Sequence, residues 1–315
     1  MTLTKQTRAI LIRLLVLLAM TLAVACSPAS AEPAATVPAQ PATTGTVGLL
    51  LSSLYNPLYV SVQNGAIETA SRLDVELLVR EASNDSDRQV EQIQELVELG
   101  ADALIINPVD TVAVIPALER ASLRGVAIIT LERRVNSDVV LSHVAPDNIT
   151  GGEMAANFLA ERLRQEGQVA ELMGTPQTSA AQDRGSGFGR VISGYPEINI
   201  VAREPAHFER RQAQRLFAEM LEEHPQIDAV FAHSDEMVLG AIEAAESAGR
   251  ADQILFVGFD AIGDAVAAID EGRLEATIAQ QPEEMGRLAM EAAVNHLNNE
   301  PIPESILVDL ALIAR

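Results

Sequence analysis

From Thr46 onward, short apolar runs alternate with longer stretches in which apolar positions recur every three or four residues. The runs are "TVGLLL" (46–51), "VELLV" (75–79), "ALII" (103–106), "VAIIT" (126–130), "VVLSHV" (139–144), "QVAELM" (168–173), "INIVA" (198–202), "DAVFA" (228–232), "ILFVGF" (254–259) and "ATIA" (276–279). Most are apolar at consecutive positions, so both faces of each strand are expected to be covered. Between them lie amphipathic stretches such as "YVSVQNGAIETASRL", "DRQVEQIQELVELG" and "EMVLGAIEAAESAG". Several end on a glycine (Gly100, Gly125, Gly249), as helix C-termini do. Strands alternating with helices predict parallel α/β sheets. About ten such units are too many for one doubly wound sheet, so two Rossmann-like doubly wound lobes of four to six strands each are expected.

Three Pro-punctuated stretches interrupt this rhythm: "HVAPDNITGG" (143–152), "AQQPEE" (279–284) and "NNEPIPES" (298–305). Taken as boundaries, they make the chain cross between the lobes three times. The first lobe is then residues 46–146 plus 282–303, and the second 147–281 plus 304–315.

The first 45 residues follow neither pattern. Lys5, Arg8 and Arg13 precede an apolar run from Leu14 to Ala25, broken only by Thr21. A basic start and a short apolar run predict a secretory signal over residues 1–25. The run ends at Cys26, the only cysteine in the chain. A lone cysteine there resembles the lipid-attachment site of a bacterial lipoprotein. Residues 26–45, rich in Ala, Pro and Thr, read as a tether. The expectation is an exported body held near a membrane by lipid at Cys26.

Charge narrows the partners. The chain carries 22 basic and 44 acidic side chains, a net charge of −22; without the three bases of the signal it is 19 against 44, or −25. That argues against nucleic acid and anionic lipid surfaces.

In parallel α/β sheets ligands bind beyond the carboxyl ends of strands. Polar and aromatic residues collect there: Tyr55, Asn56 and Tyr59 after the first run, Asn107 and Asp110 after the third, Glu132 and Arg133 after the fourth. Later runs are followed by Arg184 and Phe188, by Phe208, by His233, Ser234 and Asp235, by Asp260, and by Gln280. Each has a local explanation. Asn56 and Asn107 precede proline, which marks a turn, and Asp235 suits a helix N-cap. Repetition after strand upon strand is what the local explanations leave out. Carboxylates, guanidinium groups, amides and aromatic faces suit a hydroxyl-rich neutral molecule, and equally an amino acid. Glu132 and Asp260 could also be cast as the acid pair of a glycosidase. No metal-ligand spacing links His143, His207, His224, His233 and His296, and "GSGFGR" lacks the GxGxxG spacing. No cofactor is expected.

Ordered blocks along nearly the whole body carry a resemblance: "NPLYVSVQNGA", "LIINPVD", "GVAIITLERR", "DNITGG", "TSAAQDRGSGF", "HPQIDAVFAHSDEMVLGAIEAAESAG", "VGFDA" and "EATIAQQPEEMG". From Thr46 to about Leu310 the chain resembles the periplasmic sugar-binding proteins of ABC importers, in the ribose-binding class of type I periplasmic binding proteins. The resemblance implies two α/β lobes joined by three hinge crossings, closing on a monosaccharide, and a membrane permease as partner. It also leaves room for a chemoreceptor or sensor as partner, and implies a monomer without enzymatic activity. Ligand contacts carried over by it fall on Asn56, Leu58, Tyr59, Glu132 and Arg133 in the first lobe, and on Arg184, Phe208, Ser234, Asp260 and Gln280 in the second. Asn107 matches an Asn at the cleft edge. Ribose binders of the family have Asp where Glu132 stands, Asn where Ser234 stands and an aromatic where Leu58 stands, so the resemblance implies a sugar rather than ribose in particular. A repressor core of the same fold would need a DNA-binding head, and here a signal and tether stand in that place.

Overall fold

The computed structural model describes residues 45–315. The signal segment, Cys26 and the tether up to residue 44 lie outside the described residues.

Two six-stranded sheets form the body. The first contains β1 (Thr46–Leu51), β2 (Glu76–Glu81), β3 (Ala103–Ile106), β4 (Ala127–Leu131), β5 (Val140–Pro146) and β11 (Ser305–Val308). The second contains β6 (Glu166–Met173), β7 (Glu197–Pro205), β8 (Ala229–Ala232), β9 (Leu255–Asp260), β10 (Ala276–Ala279) and β12 (Ala311–Ala314). Their strand orders match: β11-β5-β4-β3-β1-β2 and β12-β10-β9-β8-β6-β7. All pairings are parallel except that of β12 with β10.

The helices run α1 (Pro57–Leu73), α2 (Ser86–Glu98), α3 (Ile115–Leu123), α4 (Asn148–Arg162), α5 (Ser179–Ile192), α6 (Arg210–Glu223), α7 (Asp235–Ser247), α8 (Gly263–Asp270) and α9 (Pro282–Leu297). They cover both faces of each sheet, which accounts for the consecutive apolar runs: β3, β4 and β8 are buried at every position. Each lobe thus has two cores, one on either face of its sheet.

The chain passes from the first sheet to the second after Pro146. Asp147 caps α4 by accepting from the backbone N–H of Thr150 at 3.0 Å. It returns after β10, where Pro282 opens α9. Both crossings lead into a helix that packs closely on its new lobe. A Cβ at Gly65 of α1 would come within 2.1 Å of Glu283 O in α9, and one at Gly286 within 2.1 Å of Val62 O. In the second lobe a Cβ at Gly152 of α4 would meet Arg184 O at 2.1 Å, and one at Gly187 of α5 would meet Ile149 O at 2.0 Å. Reciprocal glycines let the backbones touch at both crossings.

The third crossing differs from expectation. The sequence pattern places residues 304–315 in the second lobe, yet Ser305–Val308 pairs in parallel with β5 of the first sheet, from Ser305 opposite His143 to Val308 opposite Pro146. The chain changes sheets at Asp309 and Leu310, and β12 then runs antiparallel to β10. Both strands are four-residue edge strands with mostly exposed or half-exposed positions. They lack the buried apolar run that marks the other strands, so the prolines at 301 and 303 were the stronger signal in the sequence.

Candidate functional site

Both sheets change winding direction between two central strands, β1 and β3 in the first and β6 and β8 in the second. The carboxyl ends of these strands place the polar residues where an α/β sheet binds ligands. "IITLERR" shows how the charges leave the sheet. β4 ends at Leu131, and Glu132 adopts φ 60°, the left-handed region that is unfavourable for a residue with a Cβ. Glu132 N–H still donates to Val144 O at 2.8 Å, so the turn begins from the last rung of the ladder. Phe208 (φ 63°), Asp260 (φ 122°) and Ala261 (φ 58°) are held in similarly costly conformations at the other strand ends.

Glu132 and Arg184 form the central contact. The Glu132 side chain is buried; Oε1 accepts from Arg184 Nη2 at 3.0 Å, and Oε2 from Tyr59 Oη at 3.1 Å and Asn107 Nδ2 at 3.2 Å. Arg184 is equally buried. It donates from Nε to Asn148 Oδ1 at 2.8 Å and from Nη1 to His233 O at 2.6 Å, with its guanidinium over the Phe259 ring at 3.8 Å.

A second bridge joins the lobes. Asn56 caps α1 with Oδ1, which accepts from Leu58 N–H at 2.9 Å, while its Nδ2 donates to Asp260 Oδ2 at 3.2 Å. Turn-forming and site-forming roles coexist in one amide because its two ends do different things. Gln280 Nε2 donates to Asp260 Oδ1 at 2.7 Å. Burial pushes the Asp260 carboxyl up to about 6, against the opposing pull of Arg184. Burial also raises the Tyr59 phenol. Asp235 is raised well above the carboxylate range by burial and then by the neighbouring charge of Asp260.

Arg133 lies between rings from the two lobes, its guanidinium 5.8 Å from the centre of Tyr59 and 5.1 Å from that of Phe208. Nη1 donates to Pro108 O at 3.0 Å, while Nε is buried without a hydrogen-bond partner. Gln280 Oε1 is likewise buried and unpartnered.

Of the residues expected to meet a ligand, eight line one cavity of about 360 Å³: Asn56, Leu58, Tyr59, Glu132, Arg133, Arg184, Phe208 and Asp260. Asn107, Ser234 and Gln280 do not line it. Asn107 stands behind Glu132, and Gln280 stands behind Asp260. The Ser234 hydroxyl caps α7, accepting from Met237 N–H at 3.4 Å. Asp235, read in sequence as a cap, instead accepts from Thr277 Oγ1 at 2.7 Å and Ile262 N–H at 2.9 Å, bracing the turn that follows Asp260.

Ser53, Asn84, Glu209, Arg210, Arg211 and Glu236 also line the cavity and are not among the residues expected from the sequence. Arg210 is paired with Glu236 through two bonds of 3.0 Å. Their signal was position alone, since all follow strands or open helices on the same side of a sheet. Arg134 is exposed and bridges the lobes: its backbone N–H donates to Ser179 Oγ at 2.7 Å and its Nη2 to Asp183 Oδ2 at 3.2 Å.

Glu132, Asp260, Arg133 and Arg184 thus line one cavity together with the rings of Tyr59 and Phe208. Against known proteins, residues 47–301 match the family described as periplasmic binding protein domain. The chain is 41% identical to the ribose import binding protein of Bacillus subtilis (strain 168), over 85% of this chain and 86% of that one. An ABC transporter periplasmic solute binding protein from Actinobacillus succinogenes 130z with bound D-allose superposes with a TM-score of 0.81 at 32% identity, covering 86% of this chain and 98% of that one. An ABC transporter solute binding protein from Bacillus halodurans C-125 with bound myo-inositol does so with a TM-score of 0.82 at 29% identity, covering 88% and 96%. The chain belongs to the periplasmic binding protein domain family, with the two-lobed fold of the type I periplasmic binding proteins.

Proposed function

We propose that this chain is the extracytoplasmic substrate-binding component of an ABC sugar importer. It takes a monosaccharide, a ribose-like pentose or related sugar, between its lobes and hands it unchanged to a membrane permease. The observation that carries this reading is the composition of the cavity. Its charges balance, its aromatic rings come from opposite lobes, and Arg133 Nε, 3.3 Å from Glu132 Oε2, has no hydrogen-bond partner there. A hydroxyl group is both donor and acceptor, so it suits carboxylates and guanidinium groups alike. The ligands named for the similar proteins (ribose, D-allose and myo-inositol) share this chemistry.

The way the acids are held supports binding without turnover. Glu132 accepts from Tyr59, Asn107 and Arg184, and Asp260 from Asn56 and Gln280, so each carboxylate is engaged by donors suited to holding its charge. Each acid also has a partner in the opposite lobe, so closure and polar satisfaction are coupled.

The decisive experiment is a thermal-shift screen against pentoses, hexoses, polyols and amino acids. A ligand that binds only the folded protein raises its unfolding temperature. A shift confined to sugars and polyols is expected; one confined to amino acids overturns the reading. Incubation with the labelled sugar that gives the shift should return it unchanged. Lipid anchoring at Cys26 belongs to the same proposal: Cys26→Ser should move the protein out of the membrane fraction, and continued membrane association would count against the anchor.

A further inference from the structure

We infer that His233, a residue outside the cavity, is a positioning residue that sets where Arg184 and Phe208 meet the ligand; this rests on the proposal that both touch a sugar. His233 follows β8 and its side chain is fully buried. Its backbone carbonyl accepts from Arg184 Nη1 at 2.6 Å. Its ring makes two further contacts. Nδ1 accepts from Gly174 N–H at 3.3 Å, and Nε2 lies 2.9 Å from Glu171 Oε1. A backbone N–H can only donate, so Nδ1 carries no proton and Nε2 donates to the carboxylate. Burial favours the same neutral ring.

Each contact leads to a ligand-facing residue. Gly174 is the seat of Phe208: a Cβ at Gly174 would lie 2.0 Å from the tip of the Phe208 ring, so the backbone that His233 holds is the surface on which that ring rests. Gly185, next to Arg184 on α5, packs on the other side of the pair. A Cβ there would meet Glu171 Oε1 at 3.1 Å and His233 Cε1 at 3.3 Å. Glu171 is buried, and its second oxygen accepts from Nε of the half-exposed Arg203 at 2.6 Å. The chain Arg203–Glu171–His233 therefore ties a surface cation to the back of the half-site. A buried polar chain of this kind is justified only when each member has its partner, and here each has. One donor and one acceptor at this spacing define the requirement. A glutamine side chain offers both; a leucine offers neither.

The test compares wild type with His233→Gln and His233→Leu, as full chains, by calorimetry with D-ribose, D-allose and myo-inositol and by crystallography without ligand. Glutamine is expected to keep affinity within about threefold, while leucine weakens it by roughly tenfold or more, the usual cost of an unpaired buried group. In the leucine variant Arg184 should leave Glu132 and Phe208 should leave Gly174; in the glutamine variant both should stay. Unchanged positions of Arg184 and Phe208 in the leucine variant overturn the inference, as does equal loss of affinity in both variants. If none of the three probes binds wild type, the sugar proposal fails, and the two crystal structures still decide whether His233 positions these side chains. Should the leucine variant not fold, His233→Asn replaces it, because asparagine is too short to span Gly174 and Glu171; the expected displacement is the same.

Discussion

The two lobes share a strand order and a pair of glycines at the crossing helix, yet they hold their halves of the site differently. In the first lobe, Glu132 is gripped directly: Tyr59, which itself lines the cavity, and Asn107 both donate to it. In the second lobe, the cavity-lining residues rest on a buried polar layer. Asn148 and the His233 carbonyl hold Arg184, Asp235 and Thr277 hold the turn after Asp260, and Gln280 donates to Asp260 itself. The difference follows from the residue each lobe presents at its centre. A guanidinium has five donors in a fixed fork and needs acceptors on several sides, so it demands a supporting shell. A carboxylate is satisfied by a few donors, and the first lobe finds them among its neighbours. Each lobe nevertheless leaves one requirement to the other, Glu132 to Arg184 and Asp260 to Asn56.

Arg184→Met breaks this arrangement most severely. It leaves Glu132 Oε1, Asn148 Oδ1 and His233 O without the donor that Arg184 supplies, and breaking a buried ion pair costs about 3–5 kcal/mol. Calorimetry should find sugar binding lost or weakened by several orders of magnitude, whereas near wild-type affinity would remove Arg184 from the site.

Asp260→Asn tests the charged half of the second lobe. The Asp260 carboxyl titrates near 6, above its unfolded range, because burial disfavours the charged form. A raised value in the folded state contributes stability that is fully present below the unfolded pKa of about 3.9 and is lost as pH rises through about 6. Sugar hydroxyls, in contrast, donate to the carboxylate. Acidification from pH 7.5 to 5 should therefore weaken sugar binding while adding this group's contribution to the ligand-free protein's stability. Both trends should flatten in Asp260→Asn, whose affinity at pH 7.5 should be roughly tenfold weaker or more. Titrations of both proteins across this range measure the two effects.

Gly286→Ala and Gly152→Ala ask whether the crossing helices are seated equivalently. An added methyl meets backbone at about 2 Å in either case, so each should destabilise by about 1–3 kcal/mol in urea unfolding. A much smaller loss in one lobe would show that its crossing helix can shift.

Arg134→Ala removes a bridge between the lobes at the surface. The pair with Asp183 is exposed, so its loss should weaken sugar affinity by about 0.2–1 kcal/mol, and less at high salt. The backbone N–H of residue 134 still donates to Ser179 in this variant, so an effect independent of salt would argue against the ion pair as the source of the loss.

Much of this was legible from residue order. Ten apolar runs marked ten of the twelve strands among the described residues, because a strand covered on both faces must be apolar at consecutive positions. What escaped were β11 and β12, edge strands whose identity rests on backbone pairing with a neighbour rather than on their own burial. The site divides in the same way. Where a side chain stands after a strand is a property of the chain, and it was enough to collect Asn56, Tyr59, Glu132, Arg133, Arg184, Phe208 and Asp260 around one cavity. Whether a polar side chain meets the cavity or supports one that does depends on where other strands put its partners. Ser234 turned to cap its own helix, Asp235 turned to brace a loop, and Asn107 and Gln280 turned to the two acids. Local sequence determines which chain ends meet at the cleft, because burial acts on each run by itself. Direction within the cleft was left to the tertiary structure, because a buried polar group points to whichever partner satisfies it, and that partner lies up to 204 residues away, as Asn56 and Asp260 do.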